Sequence, residues 1–132
     1  MATRSTIALE YADGTIGQIY CHWDGYLDHN GLILDINYTD PFKVRELLDR
    51  GDMSSLDTSV SGCDFYSNRG DYVPQRMYKD FSEYVRQAQF EEYDYILRQV
   101  DGEPVWFVRS YATYDDFIPL EKAFLAEKEY TE

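Results

Sequence analysis

"EYDYILRQVDGEPVWFVRSY", Glu92 to Tyr111, is the stretch whose reading decides the fold. Two runs rich in Val, Ile, Tyr, Phe and Trp flank Asp101-Gly102. That dipeptide supplies the positive φ angles a two-residue hairpin turn requires. Side chains alternate across a strand. A two-residue turn therefore puts Tyr95, Leu97, Trp106 and Val108 on one face. It puts Ile96, Val105 and Phe107 on the other. Both faces carry apolar bulk, so the pattern predicts cover on each, from helices or from a partner.

The same device stands near the start of the chain. "STIALEY" (Ser5 to Tyr11) and "IGQIYCHW" (Ile16 to Trp23) flank Asp13-Gly14. The two hairpins share no residue-level repeat. Together they predict an antiparallel sheet of at least four strands. Three to four helices lie between and after them. In "TDPFKVRELLDRG", Asp40 caps, Pro41 fits the first turn, Gly51 stops the helix, and Val44, Leu47 and Leu48 form its apolar stripe. In "KDFSEYVRQAQF", Asp80 and Glu83 have capping-box spacing, and Phe81, Tyr84, Val85 and Ala88 recur at helical intervals. "FIPLEKAFLAEKEY" turns Leu120, Ala123 and Phe124 inward. A further helix is predicted from about Tyr26 to Tyr38, with Leu27, Asn30, Leu34 and Ile33 inward. Met53 to Met77 reads as a long loop with a short strand at most. No linker divides the chain, so residues 1–132 are expected to form one α+β domain.

Charge is the unusual feature of the composition. The chain has 25 acidic and 12 basic residues, a net charge of −13. A field of that sign repels DNA, RNA and anionic lipid, which argues against direct nucleic-acid or membrane binding. It attracts basic surfaces, and proteins that handle nucleic acid carry such surfaces. High net charge also keeps a small protein in solution. The two cysteines form no framework, no leader pattern is evident, and a reducing cytoplasm is the expected setting. "NYT" and "RGD" are discounted, because each needs an extracellular context.

One stretch concentrates reactive side chains: "YCHWDGYLDHNG", Tyr20 to Gly31. A metal reading takes His22, Asp24 and His29 with Cys21 or Cys63. Strand alternation sends Cys21 and His22 to opposite faces, and no HExxH, CxxC or HxH spacing is present. A nucleophilic reading needs a stabilised thiolate, whereas these surroundings are acidic and no Gly-rich oxyanion loop follows either Cys. Phosphate-cradling glycine motifs are missing. Catalytic residues, metal and cofactor are therefore expected to be none. The favoured reading is a structural corner: His22 and Trp23 end a strand, Asp24-Gly25 turns the chain, and Tyr26 starts a helix that Asp24 caps, with His29 beside the aromatics. The alternative is a small enzyme or ligand-binding domain around Cys21, His22, Asp24 and His29.

"RSTIALEYADGTIGQIYCHWDGYLDHNGLIL" (Arg4 to Leu34) followed by "FKVRELLDRGDMSSL" (Phe42 to Leu56) resembles a family of small proteins common in phages, prophages and other mobile elements. The shared motifs are Arg-Ser-Thr-Ile-Ala, the aromatic-Cys-His-Trp-Asp-Gly-Tyr turn, His-Asn-Gly, and Gly-Asp-x-Ser-Ser-Leu. "DFSEYVRQ" and "VWFVRSYATYDDFIPLEKAF" are similar in kind. The chain departs from the pattern at Met53 and at "LDINY". The resemblance implies no catalytic activity or cofactor. It implies action by binding, as in inhibitors of host defence complexes such as CRISPR effectors or restriction enzymes.

Such complexes hold nucleic acid in basic channels. An acidic protein can enter such a channel as a phosphate mimic. Same-face strand residues repeat at about 6.6 Å, close to two steps of about 3.4 Å along one DNA strand. Glu92 and Asp94 have that spacing. Asp101, Glu103, Asp115 and Asp116 extend the row, and Tyr111 and Tyr114, with Tyr93, add aromatic contacts. The expected partner is a host protein with a basic, nucleic-acid-binding surface. Two other readings stand beside it: a solvated edge that blocks sheet aggregation, and a structural or assembly role in the element's own particle as a symmetric oligomer.

Overall fold

A computed structural model describes residues 2–113 and 115–131. Its strands are β1 (Ser5–Glu10), β2 (Ile16–Cys21), β3 (Met53–Ser55), β4 (Asp64–Phe65), β5 (Arg76–Tyr78), β6 (Tyr93–Val100), β7 (Glu103–Ser110) and β8 (Ile118–Pro119). The helices are α1 (Leu32–Asn37), α2 (Pro41–Arg50), α3 (Phe81–Gln87) and α4 (Leu120–Thr131), and a π-helical turn, Leu27–Gly31, runs into α1. The fold is α+β.

Both Asp-Gly hairpins form, but the first is corrected in its turn: only Gly14 takes a positive φ, 90°, and a three-residue loop is closed by the Tyr11 amide on the Thr15 carbonyl at 2.8 Å. Asp101 and Gly102 take φ of 52° and 82°. The turn sets Tyr95 opposite Val108, Leu97 opposite Trp106, and Ile96 opposite Phe107. The hairpins meet side by side through β1 and β6, and that junction is parallel, Ile7 facing Tyr95 and Leu9 facing Leu97. The sheet is therefore mixed, with order β4-β3-β2-β1-β6-β7-β8 and β5 added on β2. The sheet remains mostly antiparallel, with parallel pairing at β1–β6 and at β2–β3. The long helical crossover from β2 to β6 lets the second hairpin return in the same direction as β1.

The two sheet faces differ in chemistry. One carries Ile7, Leu9, Ile19, Cys21, Tyr95, Leu97, Trp106 and Val108 into the main core, closed by Leu34, Val44, Leu47, Leu48, Leu120 and Ala123 from α1, α2 and α4. Each fully buried Leu there contributes about 1.5–3 kcal/mol. Asp40 accepts from the Phe42 amide at 3.0 Å, so α2 begins where its cap predicts. It ends at Gly51, φ 84°, where a Cβ would sit 2.3 Å from the Val73 carbonyl oxygen. The other face is smaller: Ala8, Ile16, Ile96 and Tyr84, with Phe81, Phe90, Phe107 and Phe117 around them. The Asp80 carboxylate caps α3 through the Glu83 amide at 2.8 Å.

Two expectations shift. Met53 to Met77 is not a plain loop, because β3, β4 and the start of β5 interrupt it with two 3-10 turns. Strands of two or three residues are too short to show alternation. The helix expected from Tyr26 starts as the π-helical turn, yet Leu27, Asn30 and Leu34 face inward as predicted.

Candidate functional site

At the corner, β2 delivers Cys21 into the core and His22 to the opposite side, as strand geometry requires. Cys21 is fully buried. The Asn30 side-chain amide donates toward Ser5 Oγ at 3.3 Å, Cys21 Sγ at 3.4 Å and the Trp23 carbonyl at 3.4 Å. Asn30 Oδ1 lies 2.9 Å from His29 Nδ1. His22 Nδ1 meets the Tyr20 hydroxyl at 2.8 Å, and its ring stands edge-on to Trp23. Gly25 is where the backbones close: a Cβ there would lie 2.6 Å from Ser5 Cβ, and the Tyr95 hydroxyl donates to the Gly25 carbonyl at 2.7 Å. Burial pushes the Cys21 thiol up to about 11 and raises Cys63 as well. Asn30 thus stands between Cys21 and His29, while His22 turns to Tyr20 and Trp23. The helix cap expected of Asp24 does not form. Tyr26 precedes the helical turn, which has no side-chain cap, and Asp24 instead takes φ 58° and accepts the Asn30 amide with its carbonyl. Among the described residues, no three His, Cys, Asp or Glu side chains gather as metal ligands.

The acidic positions separate. Asp101 and Glu103 are exposed at the β6–β7 tip, while Glu92, Asp115, Asp116 and Tyr111 are exposed at the opposite end of that hairpin. Eight residues of β6 lie between, about 26 Å at roughly 3.3 Å per residue. One continuous row is therefore corrected to two anionic ends. Asp94 is corrected more sharply: it is fully buried. Its position in β6, opposite Arg109, sends it onto the smaller sheet face beside α3. Tyr114 lies outside the described residues.

Around Asp94 the smaller face becomes polar. Asp94 accepts from Thr6 Oγ1 at 2.7 Å, the Glu91 amide at 3.0 Å and Arg109 Nη1 at 3.0 Å. Burial outweighs these contacts and pushes its carboxyl up to about 6. The hydroxyl of Tyr84, a buried residue of α3, has no hydrogen-bond partner within 3.5 Å among the described residues. The guanidinium groups of Arg98 and Arg109 lie over the Phe81 and Phe90 rings at 3.7 and 4.4 Å.

Two recesses flank this cluster. A groove of about 640 Å³ is walled by Phe81, Phe90, Phe107 and Phe117, with Arg98, Arg109, Asp115 and Asp116 at its margin. A polar cavity of about 300 Å³ lies over β1 and β2, lined by Thr6, Gln18, Tyr20, Asp52, Arg76, Gln89 and Glu91. The sequence reading missed Thr6, Gln18 and Arg76. The signal was present in β1 and β2, where Thr6 and Ala8 alternate with Ile7 and Leu9, and Gln18 and Tyr20 alternate with Ile19 and Cys21.

Three arginines on this face are held internally. Arg76 pairs with Asp52 at 2.8 Å, Arg98 with Glu10 at 3.0 Å, and Arg109 with Asp94 and Asp115 at 3.0 Å each. No protein-family model, curated protein or solved structure matches the chain. Among the described residues, no helix is long and apolar enough to cross a membrane.

Proposed function

We propose that the chain is a non-enzymatic, acidic binding protein of phage or mobile-element origin. It acts in the cytoplasm of a bacterial host, on a protein whose surface is basic because it holds nucleic acid. The target class is a defence complex, a CRISPR effector or a restriction enzyme, and the mode is DNA mimicry.

One observation supports this reading above the rest. Arg76, Arg98 and Arg109 are each held by a carboxylate of the same molecule, Asp52, Glu10 and Asp94. The net charge of −13 therefore rests on the remaining groups, many of them exposed. Two anionic ends separated by one hairpin length span roughly eight 3.4 Å steps of a DNA strand. Exposed Tyr111 at one end adds a rigid aromatic contact.

The test is co-purification from expressing host cells with the tagged chain in low salt, followed by competition with duplex DNA. Capture of a nucleic-acid-binding protein that duplex DNA displaces supports the reading. Capture of no basic partner contradicts it.

A further inference from the structure

We infer that the polar cavity over β1 and β2 is a receptor for a guanidinium group, through which the chain seats an arginine side chain of its basic partner. This deepens the proposed function and rests on it.

The cavity is rich in acceptors. Gln18 lines its floor and is 1% exposed, yet its amide is only loosely bonded: Nε2 donates to the Gln89 carbonyl at 3.4 Å, and Oε1 accepts from the Tyr78 hydroxyl at 3.3 Å. Both are longer than the usual 2.7–3.2 Å range. Buried polar groups normally find full partners, so an amide held this weakly has capacity left for a ligand. Thr6 Oγ1 gives its proton to Asp94. The Glu91 carboxylate lines the cavity and makes no hydrogen bond or ion pair among the described residues; only the Glu91 amide is engaged, with Asp94.

Charge points the same way. Arg76 is the cation lining the cavity, and Asp52 holds it through both guanidinium nitrogens, at 2.8 and 3.2 Å. Asp52 also accepts the Tyr20 amide at 2.8 Å, which fixes that pair to the sheet. With Arg76 held by Asp52, Glu91 is the acidic residue of the lining with no cation bonded to it among the described residues.

The geometry selects guanidinium over ammonium. The acceptors are dispersed around the cavity, which suits five N–H donors in a flat fork better than a point charge. Tyr20 also lines the recess. A guanidinium is also more weakly hydrated, so it gives up water at lower cost on entering this half-open recess. About 300 Å³ admits the group and its aliphatic stem, being roughly ten times the 30 Å³ share of one water.

The experiment uses the full chain with agmatine as probe, read by amide chemical shifts. The expected result is saturable shifts at Thr6, Gln18, Tyr20 and Glu91, with at least about tenfold weaker binding in Glu91→Gln and weaker binding of putrescine, which carries the same charge on two ammonium groups. Unsaturable shifts, shifts spread evenly to Asp101 and Asp115, or equal binding by Glu91→Gln would overturn it. Capture of the partner from host cells separates the two proposals. If Glu91→Gln loses agmatine but captures the partner as well as the parent chain, the arginine-docking inference fails and the proposed function stands. If agmatine binds as expected and no basic partner is captured, the proposed function fails and the cavity's preference for guanidinium stands.

Discussion

The Arg109 guanidinium lies 3.0 Å from the Asp94 carboxylate, across β6 and β7, at a site where Asp94 has no solvent exposure. Removing the guanidinium leaves a buried carboxylate with a mainly neutral environment. Arg109→Ala is therefore expected to destabilise the fold by about 3–5 kcal/mol, the usual cost of breaking a buried pair from one side. Urea unfolding measures it. A loss of less than about 1 kcal/mol, typical of exposed pairs, would show that the contact is not buried in solution.

The same carboxylate sets a pH dependence. Burial raises the folded carboxyl from 3.8 to about 6. Between these values the folded chain binds the proton more tightly than the unfolded chain. Its contribution to stability is full below about 3.8 and is lost as pH rises toward 6, then stays level. Denaturation midpoints are expected to fall across that window for the parent chain, with the slope reduced in Asp94→Asn. An unchanged slope in Asp94→Asn would assign the dependence to other groups.

At the corner, stability and reactivity are expected to divide in a specific way. Gly25→Ala drives a methyl group into Ser5 and the Thr3 carbonyl, costing about 1–3 kcal/mol as overpacking does. His22 is half-buried, and among the described residues its ring meets Tyr20 and Trp23, so His22→Ala is expected to cost about 1 kcal/mol or less and to leave partner capture intact. Thermal melts and capture by both variants check this. Loss of capture in a well-folded His22→Ala chain would move the corner from scaffold to site.

The thiols give an independent check on packing. Cys21 and Cys63 are buried, and both are pushed up, Cys21 to about 11. Thiolate is the reactive form. Maleimide labelling of the native chain at neutral pH is expected to be slow and to become rapid in denaturant. Fast native labelling of Cys21 would show that the corner opens.

Much of this fold was legible from residues alone. Asp13-Gly14 and Asp101-Gly102 identify both hairpins because their turn chemistry is local. Asp40 with Gly51, and Asp80 with Glu83, mark α2 and α3 for the same reason. The parallel junction of β1 and β6 was not legible, since it depends on how a distant crossover packs. Asp94 shows the limit most clearly. Read as one of a row of surface acids, it is drawn inward by Arg109 and Thr6, two partners far away in sequence or on another strand. The polar cavity was hidden likewise, because Thr6, Gln18, Asp52, Arg76 and Glu91 meet only after the sheet is assembled.

The central claim is that the surplus negative charge engages a basic surface evolved for nucleic acid. Titration of the co-purified partner with the chain at increasing salt, with and without duplex DNA, tests it most directly. The account expects affinity to fall steeply with salt, to fall further in the combined Asp101→Asn, Glu103→Gln, Asp115→Asn and Asp116→Asn chain, and to be abolished by saturating DNA. Affinity that is indifferent to salt, to those neutralisations and to DNA would contradict it.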